Sequence, residues 1–312
     1  MNSFFRDLAA NVGQGTKARL AVPLAEDEAV AYAVERGVQA GLIQALLIGD
    51  ADKIREMYGK TASTEGVTVI HEPDPGKACK AAVSAVREGR ADLLMKGLVP
   101  TSTILKAVLN SQEGLKKNPL LSHLAFFELK NHPGLRILTD AAINIAPDAD
   151  VLEKIAKNAI EAFRLFSSRV PKVALLSANE KVSEKVASTV LAKEVMQKFS
   201  NPDEAIVEGP ISLDLSVSAE SARIKKYSGR IQGDADILVV PRIEVGNVLY
   251  KSLQYFACAD MGGVVFGAQC PVVLTSRADS NETKFSSLLL GVTLWRNARS
   301  AVGTEKGAEA GQ

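Results

Sequence analysis

Short apolar runs alternate with longer segments of helical spacing along nearly the whole chain, and no other feature limits the fold as strongly. The runs at 45–48, 67–71, 91–95, 135–138, 173–176, 205–207, 237–240, 263–266 and 272–274 read as buried strands. Segments 26–40, 76–87, 103–110, 151–166, 184–199, 245–257 and 280–298 read as helices. In the first, Ala29, Ala33 and Val34 share a stripe; in 151–166, Leu152, Ile155, Ala159 and Phe163 do. Strand-helix alternation implies an α/β protein with mainly parallel strands and helices on both faces. Residues 122–129 read as one antiparallel strand. A chain of 312 residues suits two such domains, and the turn-like HPGLR places a boundary near Arg136.

Composition excludes several classes. The formal net charge is +1 and basic residues are scattered, so nothing here attracts nucleic acid or an anionic membrane. No stretch approaches the roughly 20 apolar residues of a membrane span. The N-terminal MNSFFRDLAANVGQG lacks the apolar core of a secretion signal. Cys79, Cys258 and Cys270 form no CxxC pair and read as reduced, buried thiols of a cytoplasmic protein. The polar, Gly-rich tail GTEKGAEAGQ reads as frayed.

Familiar motifs are missing. No GxGxxG follows a strand, and there is no GxxxxGK[ST], HExxH or GxSxG. His71 and His132 read as structural, and His123 stays open.

Polar clusters instead stand at strand ends, where open α/β sheets bind ligands. In MKGLVPTSTILKAV, Lys96-Gly97 leads into Thr101, Ser102 and Lys106; a lysine before a helix N-terminus suits phosphate or carboxylate, and equally a surface lysine before a cap. In LTDAAINIAPD, Asp140 and Asn144 face a ligand or fix a turn. Asp214 reads first as a helix cap. Gly246-Asn247 opens a helix continuing to Tyr250 and Lys251; a glycine there costs about 1 kcal/mol against alanine. Ligand approach or tight packing would explain it. In LTSRADSNETK, Asp279 and Glu282 read as a D-x-x-E capping box. That leaves Ser276 and Arg277 unexplained. A guanidinium beside helix amides wants an anion between them, so Arg277 is the best single anion-binding candidate.

In this order and spacing, MKGLVPTSTILKAVLN, LLSHLAFFEL, LTDAAINIAPD, GDADILVVP with GNVLYKSLQYFA, and PVVLTSRADSNETK resemble the phosphate acetyl/butyryltransferase family. The likeness runs over about 21–298, and TSRADS and TDAAINIAPD look closer to the phosphate butyryltransferase branch than to the acetyl-specific one. The resemblance implies reversible transfer of a short acyl group between coenzyme A and inorganic phosphate, with no permanently bound cofactor and no metal. It implies two doubly wound α/β lobes flanking a cleft, as in isocitrate/isopropylmalate dehydrogenases. The first lobe is expected at 1–135 plus 268–312 and the second at 136–267. A homodimer or higher homo-oligomer is also implied. The chain departs from the family at Pro100 (often histidine), Lys106 (often arginine) and Arg242 (expected acidic), and Thr283 stands where the acetyl branch keeps a catalytic aspartate.

A thioester is already activated and phosphate dianion is a competent nucleophile, so direct attack in a ternary complex needs no acyl-enzyme. Arg277, with Lys96 and Thr101, is expected to hold phosphate, and Ser276 to stabilise the oxyanion. Asp279 or Glu282 is expected to act as base towards the thiol. Gly97, Ser102, Lys106, Asp140, Asn144, Asp214, Asn247, Tyr250 and Lys251 complete the substrate-binding expectation. Two competing readings remain: a metal- and NAD(P)-dependent decarboxylating dehydrogenase of similar fold, and a non-enzymatic two-lobed binding protein.

Overall fold

The computed structural model describes residues 3–12, 15–130, 132–276 and 278–309. The protein is a mixed α/β fold dividing into two compact units, Met1–Asn118 with Met261–Gln312, and Pro119–Asp260.

The discontinuous unit holds strands β1 (Ala18–Pro23), β2 (Ile43–Gly49), β3 (Val67–His71) and β4 (Leu93–Met95), and then β10 (Asp260–Phe266) and β11 (Val272–Val273). Their order is β3-β2-β1-β4-β11-β10, parallel throughout except for β10. Its helices are α1 (Ser3–Val12), α2 (Glu28–Gln39), α3 (Ala51–Tyr58), α4 (Pro75–Arg87), α5 (Thr101–Val108) and α11 (Asn281–Glu309). Val30, Ala33 and Val34 of α2 and Leu288 and Val292 of α11 are buried, and the two helices pack together. Asp27, Asp50 and Asp74 cap α2, α3 and α4 by accepting first-turn backbone N–H groups.

The continuous unit holds β5 (Ser122–Leu129), β6 (His132–Thr139), β7 (Lys172–Leu176), β8 (Ile206–Ile211) and β9 (Ile237–Val239), in the order β5-β6-β9-β7-β8. Only β5 with β6 is antiparallel. Its helices are α6 (Ala149–Arg164), α7 (Ala187–Met196), α8 (Leu213–Val217), α9 (Ala219–Ile224) and α10 (Ile243–Tyr255).

Three expectations need correction. HPGLR is no boundary turn: it lies inside β6, where the register with β5 shifts between Phe127 and Leu129. A bulge there gives Pro133-Gly134 room within a ladder. A cut after residue 135 would split β6, whereas the units divide at 118/119 and 260/261. The Gly-rich tail is helical as far as Glu309, because α11 is already nucleated and adding a residue costs less than starting a turn. Cys79 and Cys270 are buried as expected, but Cys258 is exposed. Among the described residues, no helix is long and apolar enough to cross a membrane.

Candidate active site

Strands β1, β4 and β11 lie side by side, with Ala21 opposite Leu94, and Val273 opposite Met95. They therefore end nearly level, and loops 24–27, 96–100 and 274–280 leave from one edge. That is the C-terminal edge of the parallel strands, the usual ligand edge. Lys96, only 6% exposed, donates its backbone N–H to the Val273 carbonyl (3.0 Å). Its ammonium donates to the Gly97 carbonyl at 3.3 Å. Gly97 is fixed by space: a Cβ there would lie 2.0 Å from the Leu24 carbonyl oxygen. The Leu98 N–H donates to that same oxygen (2.7 Å), docking the turn onto the end of β1. Pro100 takes the N-cap of α5 and has no side-chain acceptor for the first turn, where Thr101 and Ser102 stand.

The segment before α11 is a closed turn. Ser276 N–H donates to Asp279 Oδ2 (2.7 Å), Ala278 N–H to Ser276 Oγ (3.3 Å), and Asp279 N–H to the Ser276 carbonyl (3.2 Å). Asp279 is buried and Ser276 exposed. Arg277 lies outside the described residues. The capping-box expectation is one residue off: Ser280 is the cap, its Oγ accepting the Thr283 N–H at 3.1 Å. Asp279 is turned back onto Ser276 instead. Glu282 ties α11 to α2, accepting from Tyr32 Oη (2.6 Å) and Arg36 Nη1 (2.9 Å). Burial pushes its carboxyl up, but the bonds from Tyr32 and Arg36 and the Arg36 charge outweigh that and hold it below the usual range.

Sequence reasoning missed two residues here. Lys284, 3% exposed, donates to Asp27 Oδ1 at 2.9 Å. The same oxygen accepts the Val30 N–H (2.9 Å), so Asp27 caps α2 and pairs with α11 at once. Burial pushes the Asp27 carboxyl up, yet the Lys284 and Val30 bonds and the charges of Lys284 and Lys96 hold it low. A signal was present: Lys284, Leu288 and Trp295 recur at helical spacing, which puts a lysine on an apolar stripe.

Ser102 and Lys106 diverge from Lys96. They line a cavity of about 890 Å³ between α4 and α5, beside Lys80, Ser84 and Arg87.

In the continuous unit, Asp140, 2% exposed, accepts from the backbone N–H groups of His123 (3.1 Å), Ala142 and Ile143 (2.9 Å each) and from Asn144 Nδ2 (2.7 Å). Asn144 also donates to the Leu121 carbonyl (2.9 Å). Of the two sequence readings of Asp140, this geometry is that of a loop organiser. Gly246 permits tight packing of α10: a Cβ would lie 2.5 Å from the Asp140 carbonyl oxygen. Asn247 donates to the Ala141 carbonyl at 3.4 Å, Tyr250 is buried with its ring edge-on to His123 at 6.2 Å, and Lys251 is exposed. Asp214 does not cap α8, whose N-cap is Ser212. It pairs with Lys225 (2.7 Å) and accepts from Ser212 Oγ (2.7 Å); those bonds hold its carboxyl low.

The two buried thiols are poor nucleophiles: burial pushes Cys79 up to about 11 and Cys270 to about 12. Among the described residues, no three or more His, Cys, Asp or Glu are grouped to hold a metal ion.

Level ends of parallel strands thus bring a buried ammonium and a hydroxyl-bearing turn to the ligand edge of an α/β protein. The profile of the family described as "Phosphate acetyl/butaryl transferase" matches residues 75–292. A "Probable phosphate butyryltransferase" of Bacillus subtilis is 43% identical over 291 residues, covering 92% of this chain and 96% of the relative. A phosphate butyryltransferase of Clostridium acetobutylicum is 37% identical, covering 94% and 98%. A crystal structure of a branched-chain phosphotransacylase from Enterococcus faecalis superposes with a TM-score of 0.80 at 40% identity, covering 89% of this chain and 99% of that one. The chain belongs to the phosphate acetyl/butyryltransferase family.

Proposed function

We propose that the protein is a phosphate acyltransferase that moves a short acyl group, butyryl before acetyl, reversibly between coenzyme A and inorganic phosphate. The observation that carries this is membership of the family, with phosphate butyryltransferases among relatives that cover more than nine-tenths of this chain. The architecture we assign is that of two doubly wound lobes, as in isocitrate/isopropylmalate dehydrogenases. Cytoplasmic location and homo-oligomeric assembly belong to the same reading.

Phosphate and acyl-CoA meet in a ternary complex. Arg277 holds phosphate by a bidentate fork, and Lys96 adds a buried positive charge. The first turn of α5 at Thr101 contributes amide and hydroxyl donors. A phosphate oxygen attacks the thioester carbonyl carbon, and Ser276 donates to the developing oxyanion. Collapse expels the thiolate of coenzyme A and leaves the acyl phosphate. In the reverse direction a base takes the thiol proton. Glu282 is engaged by Arg36 and Tyr32, so Asp279, which sits in one turn with Ser276, is the base we assign. Ser102 and Lys106 in the discontinuous unit are assigned to substrate binding, as are Asn247, Tyr250 and Lys251 in the continuous one. Asp140, Asn144 and Asp214 act by holding their loops.

Steady-state rates of thiol release from acetyl-, propionyl- and butyryl-CoA with phosphate test the substrate. The highest kcat/KM is expected with butyryl-CoA; a preference for acetyl-CoA would make the protein a phosphate acetyltransferase.

A further inference from the structure

We propose that Lys80 and Arg87 of α4, which share one cavity with Lys106 of α5, bind the phosphorylated adenosine end of coenzyme A and so make the protein prefer the whole coenzyme to its pantetheine arm. The inference rests on the acyltransferase reading, which supplies the coenzyme.

The cavity of about 890 Å³ lies between α4 and α5, wholly within the discontinuous unit. It is large enough for a nucleotide, and inorganic phosphate would leave most of it empty. Lys80, Ser84 and Arg87 recur at helical spacing, so they lie on one stripe of α4. Two turns separate Lys80 from Arg87, roughly 10 Å along the axis. A ligand with anionic groups on two sides of a ribose suits that spacing; a single phosphate does not. Ala81, Val83 and Ala107 add an apolar lining for the flat face of a base.

The positive charge here is largely uncompensated. Among the described residues, Lys80, Arg87 and Lys106 enter no ion pair. Arg19, Arg36, Arg169 and Lys198 elsewhere each meet a carboxylate. Glu88, beside Arg87 in sequence, is engaged by Ser84 Oγ (2.7 Å) and Arg90 Nε (2.8 Å), which hold its carboxyl low with a smaller share from the Arg87 charge. Glu113 is the one carboxylate that lines the cavity, against the three cations. The first turn of α5 adds positive charge of its own, because Pro100 at the N-cap offers its N–H groups no side-chain acceptor. That turn is also the end of α5 nearest Lys96. A coenzyme lying along α5 would therefore point its thioester towards the phosphate candidates.

The experiment compares wild type with Lys80→Met, Arg87→Met and the double variant on butyryl-CoA and butyryl-pantetheine, each with phosphate. Both side chains are exposed, so the fold should survive their replacement. The ratio of kcat/KM for butyryl-CoA to that for butyryl-pantetheine should fall about fivefold in each single variant and about twentyfold in the double, and the fall should shrink at high salt. A general structural defect would lower both rates together and leave the ratio unmoved, and an unmoved ratio overturns the proposal. Calorimetric titration with adenosine 3′,5′-bisphosphate reads the cavity without turnover. Affinity weakened by similar factors in the variants is expected; equal affinities, or no binding by wild type, overturn the proposal. Binding that the variants weaken while the ratio stays put would give the cavity to a free nucleotide and overturn its assignment to the coenzyme. A wild type whose binding the variants weaken, but which transfers no acyl group, supports the nucleotide site and contradicts the acyltransferase reading alone.

Discussion

Arg277 and Asp27 differ in kind: Arg277 is assigned to touch phosphate, whereas Asp27 caps α2 and pairs with Lys284 of α11. Arg277→Ala should abolish phosphate-dependent thiol release from butyryl-CoA, with circular dichroism and melting unchanged; a retained rate would remove it from the mechanism. Asp27 makes a second prediction through pH. Its carboxyl is held below the usual range in the folded protein. Its stabilisation is therefore complete above the unfolded value of roughly 3.9 and is lost as pH falls through the folded one. Asp27→Asn should cost about 2 to 4 kcal/mol at neutral pH, since it leaves the buried Lys284 ammonium facing a neutral amide. It should also flatten the acid side of the stability profile, which urea unfolding at a series of pH values measures. Residue types were the legible part of this site. Ser276, Asp279 and Lys96 stood out because polar groups interrupt apolar strands. Asp27 and Lys284 did not, because they are distant in sequence and only the packing of α2 on α11 joins them.

At the scale of elements, α10 and the exit of β4 are positioned by the absence of a side chain. Gly246→Ala gains about 1 kcal/mol of helix propensity. Its Cβ would meet the Asp140 carbonyl oxygen at 2.5 Å, so α10 must move off the strand end. Overpacking of this kind costs about 1 to 3 kcal/mol, and the net effect should be destabilising by thermal melting. A melt unchanged or raised would mean that α10 is free to shift. The strand-helix alternation was readable because parallel strands buried on both faces form continuous apolar runs. β5 was found with its bounds intact. β1, central in its sheet, was missed: ARLAVP is rich in small residues, which carry little strand signal, and it is long-range pairing with β2 and β4 that makes it a strand. HPGLR misled for the opposite reason, since Pro and Gly mark turns locally but a bulge absorbs them.

For the whole molecule, the exposed side chains of α10 bear on assembly. Val248 is 66% exposed, Tyr255 60% and Phe256, just beyond its end, 88%. Val248 and Tyr255 lie two turns apart on one stripe. Exposed apolar side chains that form one contiguous patch suit a surface that another chain covers. Light scattering on the purified protein should give at least a dimer, and Val248→Glu with Phe256→Glu should shift it towards monomer. A wild-type monomer at every concentration would exclude assembly through this face. The sequence pointed to self-assembly only through the family resemblance and not to this face, because exposure depends on how α10 seats on β6.

The acyltransferase assignment itself comes down to stoichiometry. Butyryl-CoA is incubated with the protein, with and without inorganic phosphate; released thiol is followed with a thiol reagent and acyl phosphate is trapped as its hydroxamate. Thiol release that requires phosphate, with one acyl phosphate formed per thiol, is the expected result. Release indifferent to phosphate, or no release from any short-chain acyl-CoA, contradicts it.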